Sequence, residues 1–342
     1  MRGREEALGR LMASCVPELP LEDPVLVVDD ASGLVEAAFA ARADVVGWRR
    51  TALAGCRALP WPPEVACAGA SVRLPKGREA QDFVLSALAG RLAAGAPLWI
   101  HGANDEGIRS VGSRLESICE KVRVVAARRH GRVVEGRILP ARAPRSLGEF
   151  RMTFDADLSG GRARLVSYPG TFAHGRLDEG SALLLQTLAR WRPAGRVLDF
   201  GCGIGVLALG VRQLTADAEL DLLDVDAAAM EAARENVPGA RPLLGDGFSA
   251  VPSGLRYDWI VSNPPFHQGR SNDPGLARQL AREAPRHLAP GGQLLVVVPR
   301  AAPFGRWLTP HFGAIQTVAR GPHHTVWHAT NGGRGGAWCG RG

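Results

Sequence analysis

Apolar runs alternate with amphipathic stretches along nearly the whole chain. In the first half, VLVVDD (Val25–Asp30) is an apolar run closed by two acids, the pattern of a buried strand. ASGLVEAAFAARA after it has apolar residues at helical spacing, as does a longer helix within residues 71–95. PLWIHGAND (Pro97–Asp105) predicts a strand and loop. IRSVGSRLESICEK then predicts a helix, and VRVVAARRHGRVVEG a strand. Residues 1–20 read as a leading helix. Strands alternating with helices argue for an α/β domain on a largely parallel sheet.

The rhythm pauses between about Leu139 and Gly161. ILPARAPRSLGEF is rich in proline and arginine without a period, so it reads as a linker. A short hairpin follows across DLSGGRARLVSYPG, turning at Gly160-Gly161. The second half then resumes more strictly. Strands are expected at RVLDFG (Arg196–Gly201), ELDLLDVD (Glu219–Asp226), YDWIVS and QLLVVVP (Gln293–Pro299), with a weak one at RPLLGDGFS. Helices are expected at VLALGVRQL, AAAMEAARENV and PGLARQLAREAPRHL, and two last strands near AIQTVAR and TVWHAT. The implied organisation is an N-terminal α/β domain over 1–140, a linker and hairpin over 141–165, and a second α/β domain over 166–330. A disordered Gly/Arg tail is expected over 331–342. Two similar rhythms suggest two similarly built, Rossmann-like doubly wound domains.

Bulk properties narrow the class. At 342 residues the chain exceeds what one core usually supports. No apolar run approaches the roughly 20 residues of a membrane helix, and MRGREEALGR lacks the apolar stretch of a signal peptide. A cytoplasmic protein with no membrane role is expected. The six cysteines show no C-x-x-C spacing and no accompanying histidine cluster, so neither a metal site nor a disulfide framework is expected. A net charge of +7 suits a polyanionic partner. However, the bases are almost all arginine, a bias that a GC-rich genome produces equally well.

Two loops carry chemistry. VLDFG runs into GCGIG, placing Gly201, Gly203 and Gly205 at a strand–turn–helix junction. There a backbone that turns sharply and approaches a ligand needs residues without a Cβ. The dinucleotide fingerprint G-x-G-x-x-G is not met, because Val206 follows Gly205. The G-x-G-x-G variant resembles the S-adenosylmethionine (SAM) loop of class I methyltransferases. Asp199 precedes the loop. Asp224 ends the next strand, placed to accept both ribose hydroxyls, with Asp226 as a competing candidate. Asp246 falls at the end of the weak third strand, where such enzymes contact the adenine amine.

The second loop is SNPPF (Ser262–Phe266). An exocyclic amine on guanine is a weak nucleophile because its lone pair is delocalised into the ring. Two acceptors for its N–H groups help: the Asn263 side-chain carbonyl and the Pro264 backbone carbonyl, held by the stiff Pro264-Pro265 turn. Phe266 offers a face on which a flipped base stacks. The strands leading to the two loops are expected to be neighbours at the topological switch point, where ligands bind.

Together these residues resemble the rRNA guanine-N2 methyltransferases of the RsmC/RlmG type. SYPGTFAHGRLDEGSALLLQTL is similar to that family's lead-in to the SAM domain. RLPKGREAQDFVLSAL, IHGANDEGIRS and VAARRHGRVVEGRI are similar to stretches of its N-terminal domain, so the resemblance runs from about Val72 to Ala329. The resemblance implies SAM bound by Asp199, Gly201, Gly203, Gly205, Asp224 and Asp246, and amine recognition by Asn263, Pro264 and Phe266. It further implies an N-terminal domain that is a degenerate copy without SAM, serving RNA docking or stability. Asp178 matches an acid ahead of the SAM domain and either closes over the cofactor or caps a helix. Arg128, Arg129 and Arg132 form a basic cluster able to meet phosphates. GPHHTVWHAT departs from the family, where Lys and Tyr are usual, and the region before Asp246 is short.

The expected activity is methylation of a guanine N2 amine in 16S rRNA. The partner would be the assembled or assembling 30S subunit, and the enzyme is read as a monomer. The alternatives are 23S rRNA as substrate, a protein glutamine methyltransferase (which also uses an Asn-Pro-Pro loop), and a non-catalytic RNA-binding relic. A nicotinamide-dependent oxidoreductase fails on Val206.

Overall fold

A computed structural model of the chain describes residues 2–52, 56–128, 130–140, 143, 145–268, 271–272 and 274–332. The chain forms two compact units, Met1–Arg151 and Met152–Gly342. Residues 333–342 of the expected tail, with Cys339, lie outside the described residues, as does Arg129.

In the first unit, helix α1 (Arg2–Ala13) precedes β1 (Val25–Val28), α2 (Leu34–Ala40), β2 (Val45–Trp48), β3 (Gly69–Arg73), α3 (Arg78–Ala89) and β4 (Pro97–Ala103). A short α4 (Val111–Leu115) leads to β5 (Cys119–Arg128) and β6 (Gly131–Ile138). The sheet order is β2-β1-β3-β4-β6-β5. Its first four strands are parallel and its last three pair antiparallel. β3 was not foreseen as a strand, although all five of its residues are buried. The expected single strand VRVVAARRHGRVVEG is two, folded back at His130. A Cβ at Gly131 would stand 2.8 Å from Leu8 Cδ2 on α1, so the close approach of α1 favours glycine there.

The region read as a linker is more ordered than its composition suggests. Phe150 packs on Trp61 and Phe83, with ring centroids 5.5 and 5.1 Å apart. The hairpin begins earlier than read, with β7 (Met152–Leu158) against β8 (Gly161–Ser167). The period-two alternation of MTFDADL was the available signal.

The second unit continues with α5 (Glu179–Trp191), β9 (Arg196–Phe200), α6 (Val206–Leu214), β10 (Glu219–Asp224), α7 (Ala227–Asn236), β11 (Arg241–Leu244) and β12 (Tyr257–Ser262). The two-residue strands β13 (His267–Gln268) and β14 (Ser271–Asn272) come next. They are followed by α8 (Gly275–His287), β15 (Leu288–Pro299), α9 (Phe304–Leu308), β16 (Ala314–Arg320) and β17 (His324–Thr330). The main sheet runs β11-β10-β9-β12-β15-β17-β16. It is parallel except where β17 pairs with β15 and β16. Numbered by appearance, this is 3-2-1-4-5-7-6. Among the described residues the first unit has the same order without a third strand, so its sheet is a reduced copy of the second.

The central strands are apolar on both faces because helices cover both, as parallel sheets require. On one face Leu198, Phe200, Ile260, Leu294, Val296 and Val298 meet Ala277, Leu280, Ala281 and Ala284 of α8. Burying each of the larger side chains contributes about 1.5–3 kcal/mol. The pairing that matters for function is β9 with β12, in register from Val197↔Trp259 to Asp199↔Val261. The Ser262 hydroxyl donates to the Phe200 carbonyl at 2.7 Å. That bond ties the two strand ends together, so the loops beginning at Gly201 and Asn263 start side by side at the switch point.

Candidate active site

The first loop is shaped by its backbone. The N–H groups of Gly201 and Cys202 both donate to the Leu223 carbonyl, at 2.8 and 2.9 Å, which binds the turn to the end of β10. Gly201 and Gly203 have φ of +69° and +53°, where other residues are strained. A Cβ at either would meet no protein atom within 4 Å. Both glycines line a pocket, so that Cβ would project into the ligand's space. Gly205, with φ +83°, is different: a Cβ there would stand 2.9 Å from Val237 Cγ2. It seats α6 against α7 and is not a wall of the pocket.

Four acids surround this loop and have separate tasks. Asp224 accepts from the Gly203 N–H at 2.8 Å and the Asp226 N–H at 2.9 Å. A carboxylate has about four acceptor directions, so acceptor capacity remains on the pocket side that Asp224 lines. Burial raises its pKa to about 6. Asp226 caps α7, accepting from Ala228 and Ala229 N–H at 2.8 and 3.4 Å, which separates the two competing acids. Asp199 is 1% exposed and is not a wall of the pocket. One oxygen accepts from the Ala208 N–H at 3.0 Å and the other has no partner. Burial raises its pKa to about 7. Asp199 therefore holds α6 in place beneath the loop. Asp246, exposed just beyond β11, lines the far side of the pocket with Gly247.

The second loop is oriented by α5. Asp178 caps that helix, accepting from the Ser181 N–H at 3.1 Å. The same carboxylate oxygen accepts from Asn263 Nδ2 at 2.8 Å, and Ser181 Oγ accepts from Nδ2 at 3.0 Å. A carboxylate accepts only, so the amide nitrogen must face it and the Asn263 carbonyl must face away. Gly180 makes room: a Cβ there would lie 3.0 Å from Asp178 Oδ2 and 3.3 Å from both Asn263 amide atoms. The two roles considered for Asp178, helix cap and site residue, are held by one carboxylate.

The pocket spans both loops. Its walls include Gly201 to Ile204, Asp224, Asp246, Asp178, Ser181, Asn263, Pro265, Phe172 and Arg176. Its cavity volume is about 230 Å³, open to solvent at the mouth. Among the described walls there are four aspartates and one cation, Arg176, so the site suits a ligand of net positive charge. SAM, with a sulfonium, an ammonium and one carboxylate, fits that charge, and the open Cβ positions of Gly201 and Gly203 fit its close approach. Among the described residues no group of three or more His, Cys, Asp or Glu is placed to hold a metal ion.

Residues 162–328 match the family model described as "Methyltransferase small domain", and residues 54–151 match "Methyltransferase small domain N-terminal". The chain is 37% identical over 271 residues to "Ribosomal RNA small subunit methyltransferase C" of Pseudomonas aeruginosa, covering 78% of this chain and 80% of that one. With the protein of that name from Pseudomonas fluorescens it shares 36% over 263 residues, covering 76% and 78%. The chain belongs to this family. A solved structure, "T. Thermophilus 16S rRNA N2 G1207 methyltransferase (RsmC) in complex with AdoMet and Guanosine", superposes with a TM-score of 0.85 at 26% identity, covering 96% of this chain and 93% of that one. The two-unit α/β architecture is thus the family's, and the chain is a methyltransferase.

Within that family frame, the pocket gathers Asp178, Gly201, Gly203, Asp224, Asp246 and Asn263 of the residues singled out from sequence. It does not include Phe266, whose ring is partly buried against the core cluster containing Phe200 and Ile260. The Pro264-Pro265 turn buries Pro264 and leaves Pro265 as the wall, with Phe266 partly exposed beside it. Arg128 and Arg132 lie in the first unit, at the end of β5 and the start of β6. Gly180, Ser181, Phe172 and Arg176 were not assigned roles. The Gly-Ser pair after an N-cap acid was the one legible sign, because a cap also satisfied by a distant amide leaves no local pattern.

Proposed function

We propose that this chain transfers the methyl group of SAM to the N2 amine of a guanine in 16S ribosomal RNA. The observation that carries this reading is the fixed direction of Asn263. Asp178 and Ser181 take both N–H bonds of its amide, leaving the carbonyl to accept from the amine of the substrate. The Pro264 backbone carbonyl is the second acceptor. Two acceptors hold the amine so that its lone pair is freed from the ring and aimed across the pocket at the glycine loop.

Gly201 and Gly203 admit the cofactor, Asp224 takes its ribose hydroxyls, Asp246 takes the adenine amine, and Asp199 and Gly205 hold the loop and α6 in shape. The cofactor, when bound, supplies an electrophilic methyl group on a good leaving group. The chain positions the amine in line with it, and positioning of this kind accounts for much of the rate. No general base is required before the displacement, since the proton leaves the amine afterwards. The protein acts as a monomer in the cytoplasm, on an assembled or assembling 30S subunit. Its first unit, with Arg128, Arg129 and Arg132, serves RNA docking.

The test is transfer of labelled methyl from SAM to unmethylated 30S subunits, 50S subunits and free rRNA, with nucleoside mass spectrometry. Wild type and Asn263→Ala are run together. N2-methylguanosine on 30S, lost in the variant, is the expected result. Label on 50S alone moves the target to 23S rRNA. SAM binding without RNA label turns the reading toward a protein substrate, and no SAM binding turns it toward a relic.

A further inference from the structure

The charge of the chain is concentrated at one end. Residues 1–258 carry 32 basic and 32 acidic side chains, whereas residues 259–342 carry nine arginines against Asp273 and Glu283. The whole net charge of +7 therefore belongs to the stretch that begins just before Asn263. A GC-rich genome raises arginine everywhere; it does not clear acids from one part of a chain. Residues 274–332 hold Arg278, Arg282, Arg286, Arg300, Arg306 and Arg320, all exposed, and one acid, Glu283. Arg282 pairs with that acid at 2.7 Å. The other five arginines have no carboxylate partner among the described residues.

The sheet brings four of those five to one edge. β15 runs parallel to β12 with Ser262 opposite Val296, so Asn263 leaves the sheet while β15 continues to Pro299 and then Arg300. β17 starts at His324 opposite Pro299, and Arg320 closes β16 opposite Thr325. Arg300 and Arg320 thus stand at the carboxyl edge from which the Asn263 loop emerges. Their two turns are joined, because the Arg300 N–H donates to the His323 carbonyl at 2.8 Å. The second turn rests on α5: a Cβ at Gly321 would lie 3.3 Å from Leu183 Cδ2, two positions from the Ser181 that orients Asn263. The helices at this edge add two more cations. Arg278 is in the first turn of α8, two residues after the pocket wall Leu276, and its guanidinium lies over Trp307 of α9 at 4.8 Å. Arg306 precedes Trp307 on α9. With strands about 4.8 Å apart and a rise of about 3.3 Å per residue, the backbones of Arg300 and Arg320 stand about 11 and about 15 Å from that of Asn263. A polynucleotide crosses such distances within a few nucleotides of a base held there.

Exposed cations without carboxylate partners break no ion pair on meeting a phosphate, and each phosphate they neutralise releases a counterion from the RNA. Such contacts fix where the backbone lies and leave recognition of the base to the pocket. We infer that Arg278, Arg300, Arg306 and Arg320 form a cationic rim that holds RNA phosphates beside the target nucleotide. This rests on the RNA-methylating reading above. It puts backbone contacts on the second unit itself, in addition to those proposed for the first.

The experiment uses the full chain and unmethylated 30S subunits. Affinity for the subunits is measured across a salt series, with SAM affinity by calorimetry and thermal melting beside it. The variants are the pairs Arg300→Gln/Arg320→Gln and Arg278→Gln/Arg306→Gln, the quadruple variant that combines them, and the same four positions changed to lysine. The control pair is Arg190→Gln/Arg234→Gln, in the last turns of α5 and α7. Each phosphate contact contributes about 0.7–0.9 to the slope of log affinity against log salt. The quadruple glutamine variant should therefore flatten that slope by about 3 and each edge pair by about half as much. Affinity at low salt should fall at least about tenfold in the quadruple variant, with SAM affinity and melting temperature kept. The lysine variant should retain most of the slope, because the charge remains. A quadruple variant that melts low leaves the two edge pairs to decide. A wild-type slope and affinity in the edge variants would overturn the inference and leave the proposed function standing. A loss in the control pair equal to that in the edge pairs would also overturn it, by making the effect one of overall charge. Wild type unable to methylate any RNA would overturn the function and this inference with it.

Discussion

The orientation of Asn263 gives a perturbation whose size follows from the geometry. Asp178 does two things with one carboxylate oxygen: it caps α5 through the Ser181 N–H, and it accepts from the Asn263 amide. Asp178→Ser separates them. Serine is as good an N-cap as aspartate, yet it is shorter and uncharged, so the bond to Asn263 is lost while the helix end stays satisfied. A hydrogen bond to a charged group contributes about 1.5–3 kcal/mol. If that energy is what keeps the carbonyl pointing at the substrate, kcat falls about 13- to 160-fold, at 1.36 kcal/mol per decade. Ser181→Ala removes only a neutral hydroxyl acceptor, about 0.5–1.5 kcal/mol, and costs about 2- to 13-fold. Asp178→Ala loses the cap as well, about 1 kcal/mol, and melts about 2–4 °C lower. Single-turnover methylation with saturating SAM reads kcat, calorimetry reads SAM affinity and melting reads the cap. Wild-type kcat in Asp178→Ser, with Asn263→Ala inactive, would show that Asn263 needs no orienting partner and refute the argument.

Three further outcomes are expected. Gly203→Ala should weaken SAM binding by at least about tenfold, because its Cβ projects into the pocket, and its φ of +53° should cost about 1–2 kcal/mol of stability. Gly205→Ala should lower the melting temperature further, because its Cβ also meets Val237, and should weaken SAM binding less; calorimetry and melting on both variants separate the roles, and identical behaviour counts against the distinction. Asp221 is buried between the Tyr257 hydroxyl, 2.7 Å away, and Arg241. Asp221→Ala should destabilise the protein by about 2–4 kcal/mol in urea titration, and a loss under 1 kcal/mol would mean that the cluster relaxes. Asp199 and Asp224 have pKa values raised to about 7 and about 6. Their contribution to stability is therefore present below about pH 4 and lost as pH rises through 6 and 7. A cationic cofactor favours the ionised carboxylates and lowers those pKa values, so SAM binding at pH 6 should release protons and tighten from pH 5 to 7. Calorimetry in two buffers of different ionisation enthalpy reads this directly, and a pH-independent affinity with no proton release would contradict it.

The parts legible in sequence were those set by local rules. β9, β10 and β12 are apolar runs because helices cover both their faces, and the glycine loop is visible because its backbone needs φ > 0. What was missed depends on partners far along the chain. β3 is short and contains Ser71 and Arg73, so its apolar signal is thin. Yet Arg73 is buried in ion pairs with Glu5 and Glu106, at 2.8 and 2.7 Å, which no local pattern shows. The outward position of Phe172 follows from anchors on β8 and α7. Asp178 was read as a cap or a site residue because sequence shows the helix start and conceals the amide 85 residues later.

The same reasoning separates the open groups of the second sheet from the filled ones at the matching place in the first. In the second unit, the junction after the first strand leaves one Asp199 oxygen unpaired, and the second strand ends in Asp224 with acceptor directions open. In the first unit, the corresponding junction after β1 carries Asp30. Its two oxygens accept from Ser32 N–H and Oγ and from the Val35 and Glu36 N–H groups, at 2.6–3.0 Å. That fills its acceptor capacity and satisfies the start of α2 that a ligand would otherwise meet. Past the end of β2, at the place where the second unit has Asp224, stands Arg49. It donates to the Asp30 carbonyl and pairs with Glu36 at 2.6 Å. A buried cation in place of a free carboxylate removes the acceptor for a diol and repels a cationic ligand. Among the described residues, the first sheet has no counterpart of β11, beyond whose end Asp246 lies in the second unit. Restoring a site there would require replacing Arg49, freeing Asp30 and adding a strand. The reduced copy is thus stabilised by the same groups that, in the full one, are left open for the cofactor.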